Sequence, residues 1–163
     1  MPAGAAGGLF ESVFLKADGG RPCYARMYDA AHLKAHPRQT VSAIEVGFDP
    51  KDAESDGNSP AKFVLRFGFQ LKGSHKWYGD AAYCAVKGTH FYCYLDADGG
   101  EFNLTPHGDA LRLDVINRGG IDAGNNQINV EDEDFVGFGK PGGDDLSFVL
   151  PHATHAVCDA SDR

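Results

Sequence analysis

Between Phe63 and Leu71, five apolar side chains (Phe63, Leu65, Phe67, Phe69 and Leu71) alternate with Val64, Arg66, Gly68 and Gln70. A period of two sends the two sets to opposite sides of a strand, so one face meets a core and the other meets water. A short distance on, Cys84 and Cys93 sit symmetrically about Lys87-Gly88-Thr89-His90. That symmetry suits a hairpin whose two cysteines face each other, close enough to bond. A chain built on these two features is committed to antiparallel sheet.

The rest of the sequence continues the pattern. Leu9–Leu15 reads as a first strand, and Cys23–Tyr28 as a second. Ile44, Val46 and Phe48 alternate with polar or small residues, as do Leu111, Leu113 and Val115, and later Leu146, Phe148 and Leu150. Phe102 and Leu104 extend the meander, and Gln127–Val130 and Phe135–Phe138 read as further short strands. Helical character is confined to residues 30–36: Asp29 suits an N-cap, the next residues are mostly good helix formers, and Pro37 stops the segment. Residues 49–61 are rich in Pro, Gly, Asp and Ser and form a long loop. The expectation is an all-β antiparallel meander of roughly nine or ten strands, closing into a barrel or sandwich. Closure is favoured because it removes exposed strand edges. Residues 1–8 read as a flexible leader without the charged and apolar segments of a signal peptide, 9–158 as a single β domain, and 159–163 as a tail.

Charge narrows the partners. Fifteen Lys and Arg against 23 Asp and Glu leave a net charge of −8. An acidic chain without a basic stripe repels phosphate backbones and anionic lipid, which argues against nucleic acid. No apolar run approaches the ~20 residues of a membrane span. The four cysteines, Cys23, Cys84, Cys93 and Cys158, lack metal-type spacing and their number is even. They read as disulfides of an oxidising compartment, periplasmic or secreted. The hairpin pair leaves Cys23 and Cys158 to tie the start of the domain to its end.

Catalytic motifs are missing. There is no G-x-S-x-G, no G-x-G-x-x-G and no phosphate loop. Histidine pairs are candidate metal ligands, zinc or calcium being the alternative cofactors: His32 with His36 at helical spacing, and His152 with His155. Asp96-Ala-Asp98-Gly-Gly-Glu101 resembles the start of a calcium loop but lacks its acidic twelfth position. The acidic run Glu131–Asp134, with Asp144 and Asp145, is a second candidate cation site. Aromatic residues crowd the cysteine hairpin. If Phe91, Cys93 and Leu95 face the core, then Tyr92 and Tyr94 face outward, and with Trp77 and Tyr78 they make the candidate binding surface.

Two stretches, Cys23-Tyr-Ala-Arg-Met-Tyr-Asp-Ala-Ala-His-Leu-Lys-Ala-His-Pro-Arg-Gln-Thr-Val and Asp98-Gly-Gly-Glu-Phe-Asn-Leu, resemble small exported proteins of α-proteobacteria whose function is unknown. The resemblance implies a periplasmic or secreted location and carries no functional residues. The expected function is a non-catalytic, disulfide-stabilised β domain that binds a protein or a small ligand and needs no cofactor. One alternative is a hydrolase with carboxylates or histidines (His32, His36 or His107) in a barrel mouth. The other is a metal-binding protein using the histidine pairs or the acidic loops.

Overall fold

The structure, a computed structural model, describes residues 8–52, 57–96, 99–116, 119–123, 136–139 and 145–160. Its main sheet follows the chain almost without interruption. Strands β1 (Cys23–Met27), β2 (Val41–Gly47), β3 (Phe63–Leu71), β4 (Tyr78–Lys87), β5 (His90–Leu95), β6 (Glu101–His107) and β7 (Ala110–Val115) pair antiparallel, each with the next. The last chain segment returns across the seam. Its first part, β10 (Ser147–Leu150), pairs with β7, and its second part, β11 (His152–Ala153), pairs with β1. Pro151 separates the two because it has no N–H to give to a ladder, while its carbonyl accepts from Ala25 N at 3.0 Å. The nine strands thus make eight staves of a nearly closed barrel, the antiparallel architecture expected from the alternation.

Eight staves enclose a space just wide enough for side chains to fill. Here phenylalanines fill it. Phe63, Phe67, Phe69, Phe91 and Phe102 project inward and are at most 2% exposed. Their rings meet at 5.2–5.9 Å, edge-on or tilted.

Both ends of the barrel are plugged. The chain from Leu9 to Leu15 is not a strand. Glu11–Leu15 forms a short helical turn, and Phe10 and Phe14, four residues apart on one helical face, enter the barrel end against Phe48 and Phe63. The same letters, LFESVFL, fit a helical period: Leu9, Phe10, Val13 and Phe14 recur at i, i+1, i+4 and i+5. The plug buries Phe10 and Phe14 to 1% and 0% exposure. A two-stranded hairpin, β8 (Ile121–Ala123) with β9 (Val136–Phe138), covers the opposite end. Phe138 packs there on Phe69 at 4.8 Å and on Phe148 at 5.6 Å.

The one expected helix is α1 (Ala30–Ala35), and the Asp29 side chain caps it by accepting from His32 N at 2.7 Å. A second short helix, α2 (His155–Ala160), lies where the sequence pattern pointed to no helix. It carries Cys158 against the outer face of β1 and β2. Disulfides join Cys23 to Cys158 and Cys84 to Cys93, the pairing that the spacing favours. Gly88 takes φ 65° in the two-residue turn Gly88-Thr89 that sets the register Cys84↔Cys93. No helix among the described residues is long and apolar enough to cross a membrane. Most of the leader, the strand expected at Gln127–Val130, the acidic run Glu131–Asp134, and Asp98 and Asp144 lie outside the described residues.

Candidate functional site

The outer wall of β4, β5 and β6 carries the candidate site. Because Cys84 and Cys93 face inward as a pair, the residues on either side of them face outward. The register sets Tyr83 opposite Tyr94, and Tyr94 opposite Glu101. Tyr92 lies opposite Ala85 on one side and Asn103 on the other. Three tyrosines therefore share one patch. The Tyr83 and Tyr94 rings are 5.5 Å apart and the Tyr92 and Tyr94 rings 6.3 Å, with planes tilted by only 31° and 34°. Tyr94 is 44% exposed.

A shallow recess of about 210 Å³ opens between the rings and is edged by Lys62 and Ala85. Beside it, the Tyr92 hydroxyl donates to Glu101 Oε2. That bond, helped by partial burial, pushes the Tyr92 phenol up to about 12, because the proton it shares with a carboxylate is costly to remove. The hydroxyl therefore stays protonated at physiological pH and the carboxylate stays fixed beside the rings. Behind the patch, the Cys84–Cys93 bond and the phenylalanine core stiffen the wall. Flat aromatic faces, one oriented acid and one amide suit recognition rather than bond-breaking: no nucleophile and base face each other here.

The structure separates the other aromatic candidates from this patch. Tyr78 is 6% exposed and stacks on Phe69 inside the barrel at 5.8 Å. Trp77 lies half-buried on the outer wall over Gly68. Gly68 is four residues along β3 from Val64, which pairs with Tyr83, so roughly 13 Å of strand lies between them. Tyr83, part of the aromatic cluster but not of the expected binding surface, and Glu101, expected only in the Asp96–Glu101 loop, take their place. Tyr83 was legible from the cysteine symmetry, which sets it opposite Tyr94. Glu101 needed the β5–β6 register.

The histidines do not converge. His32 and His36 stack on each other at 4.3 Å on α1, and His32 Nε2 bonds to Gln39 Oε1 at 3.0 Å. At the opposite end of the barrel His152 Nδ1 meets Asp18 Oδ2 at 2.9 Å, and His155 Nδ1 meets the carbonyl of Arg21 at 2.7 Å. His107, the last residue of β6, is at that same far end, and α1 is not. Among the described residues the one trio of His, Cys, Asp or Glu ligand atoms within metal-binding reach is Cys23, Glu45 and Cys158, whose two sulfurs are bonded to each other. Asp145 turns its carboxylate toward backbone and hydroxyl donors of the chain itself. It is 4% exposed and hydrogen-bonded to Thr40 and Val41.

One further carboxylate is tuned by its surroundings. The backbone N–H of Lys51 holds Asp49 below its ordinary value; burial opposes this and the Arg21 guanidinium, at 3.1 Å, assists it. The pair fastens the loop after β2 to the chain before β1. No family model, no curated protein and no solved structure matches this chain.

Proposed function

We propose that this protein is an exported, periplasmic or secreted, non-catalytic binding domain whose contact surface is the tyrosine patch Tyr83, Tyr92 and Tyr94. The observation that carries the reading is the alignment of three outward tyrosines over a rigid wall, with Glu101 held beside them. Large amphipathic rings that lose little side-chain freedom on contact are the residues binding surfaces favour. The two disulfides support an oxidising compartment, where such bonds persist. The ligand is a protein or a small molecule with a flat, partly apolar face and a group that can donate to Glu101.

The test is a screen of immobilised glycans and peptides with the purified protein and with a Tyr92→Ser/Tyr94→Ser double variant. Ligands captured by the wild type should be lost by the variant at an unchanged melting temperature. Retention of every captured ligand by the folded variant would move the contact surface elsewhere.

A further inference from the structure

The tyrosine patch continues into a row of hydrogen-bonding side chains. Strand register sets Ala85, Tyr92, Asn103, Asp114 and Ser147 side by side across β4, β5, β6, β7 and β10. All five stand on the outer wall, because their neighbours Cys84, Cys93, Phe102, Leu113 and Phe148 turn into the core. Strands lie about 4.8 Å apart, so the row crosses roughly 19 Å of wall. Its two ends differ in chemistry. Over Ala85 the small side chain leaves the recess of about 210 Å³ beside the Tyr83, Tyr92 and Tyr94 rings. Pockets that enclose a drug-sized ligand start at about 300 Å³, so this recess takes a single small ring.

Beyond the recess, each side chain of the row can bond to a hydroxyl. The Asn103 amide is half-buried and makes no side-chain hydrogen bond among the described residues, so both its donors and its acceptor face outward unused. Asp114 accepts from Ser147 Oγ at 2.7 Å and from Arg112 Nε at 2.8 Å, and both of those partners are exposed. In the flanking row Tyr94 lies opposite Glu101, whose carboxylate is fixed by the Tyr92 hydroxyl. A carboxylate has lone pairs for further donors. The charges on this wall are mixed: Glu101 and Asp114 stand against Lys62 at the recess and Arg112 beside the row.

We infer that the ligand of this wall is a neutral oligosaccharide, with one sugar ring seated among Tyr83, Tyr92 and Tyr94 and the following units running over Asn103, Asp114 and Ser147. The inference rests on the reading of the tyrosine patch as the contact surface. A sugar ring joins a face of C–H groups to a rim of hydroxyls. Its polarised C–H groups are drawn to the negative face of an aromatic ring. Each hydroxyl both donates and accepts, which matches a row holding an amide, a carboxylate and a hydroxyl. Mixed charge favours a neutral chain over a polyanion or a polycation. A peptide finds less to hold. Strands β4, β5, β6 and β7 are each paired on both sides, so no edge is open for an added strand. The core of a protein interface is depleted of charged residues, and this row is not.

The probes are cellohexaose, chitohexaose and mannohexaose, titrated calorimetrically, with heparin as the polyanion control. At least one hexaose is expected to bind with a dissociation constant of about 1 mM or tighter. Tyr92→Ser/Tyr94→Ser should weaken it by at least about tenfold at an unchanged melting temperature. Asn103→Leu, which breaks no hydrogen bond of the folded chain, should remove the advantage of the hexaose over the matching disaccharide. Met27→Ser, at an exposed position on β1, should change nothing. Binding of no hexaose, tighter binding of heparin than of all three, or an unchanged length dependence in Asn103→Leu would each overturn the inference. If no hexaose binds while a peptide is captured by the wild type and lost by the double tyrosine variant, the glycan falls and the patch stands as a contact surface. If a hexaose binds the wild type and the folded double variant equally, both fall.

Discussion

Thr40 and Asp145, 105 positions apart, are joined by three hydrogen bonds. Both the backbone N–H and the hydroxyl of Thr40 donate to Asp145 Oδ2, at 2.8 and 2.6 Å, and the N–H reaches Oδ1 at 3.1 Å; Val41 N adds a fourth bond at 3.1 Å. The carboxylate thereby satisfies the first donors of β2 and fastens the segment that leads into the closing strand. Asp145→Ala leaves the N–H of buried Val41 without its acceptor, while the exposed Thr40 donors turn to water, and should cost about 1–3 kcal/mol. Asp145→Asn keeps one acceptor oxygen and should cost roughly half as much. Denaturant unfolding of the two variants checks the order; equal stability of all three proteins would show that the loop is held by something else.

The two disulfides should contribute unequally. Cys23–Cys158 spans 135 positions and Cys84–Cys93 only 9. In the chain-entropy account, closing the longer loop is worth about 5 kcal/mol and the shorter about 3. Cys23→Ala/Cys158→Ala should therefore lower the denaturation midpoint more than Cys84→Ala/Cys93→Ala. The reverse order would mean that the hairpin bond acts chiefly through the native state.

Phe14 should behave as a core residue despite its place before the first strand. It is fully buried and its ring meets Tyr24, Phe48, Phe63 and Phe91 within 6.1 Å. Phe14→Ala should cost about 3–5 kcal/mol and lower the melting temperature by about 10 °C. Phe14→Leu, which refills most of the space, should recover most of that loss.

The Tyr92–Glu101 bond should show in an alkaline titration. The folded phenol, near 12, lies above the ordinary 10 of the unfolded chain. The folded state thus keeps the proton longer, so this contribution to stability is complete below about pH 10 and is lost as pH rises through 12. Following phenolate absorbance, Glu101→Gln should bring one late-titrating tyrosine back toward the ordinary range. An unchanged titration curve would dissociate Glu101 from Tyr92 in solution.

Gly120 should tolerate no side chain. Its φ is +74°, and a Cβ there would lie 2.3 Å from the Phe138 carbonyl oxygen. Gly120→Ala should displace the β8–β9 hairpin from the barrel end and raise amide exchange in that region ahead of global unfolding. Protection equal to the wild type would show that the hairpin accommodates the methyl.

Strand identity, the α1 cap and the disulfide pairs were legible in the sequence because each depends on local spacing: a period of two, Asp29 before a helical run, cysteines symmetric about a turn. Tyr83 was legible for the same reason, once the register of that hairpin was known. Leu9–Leu15 was misread because short apolar runs fit both periods, and only the barrel end, which takes Phe10 and Phe14 from one helical face, decides between them. Glu101 beside Tyr92 and Asp145 beneath Thr40 depend on which strand lies next to which. Side chains far apart in the chain acquire a common environment only when the sheet curls and its last strand meets its first. Local alternation therefore determined that this chain is an antiparallel sheet, and barrel closure determined which of its side chains face one another.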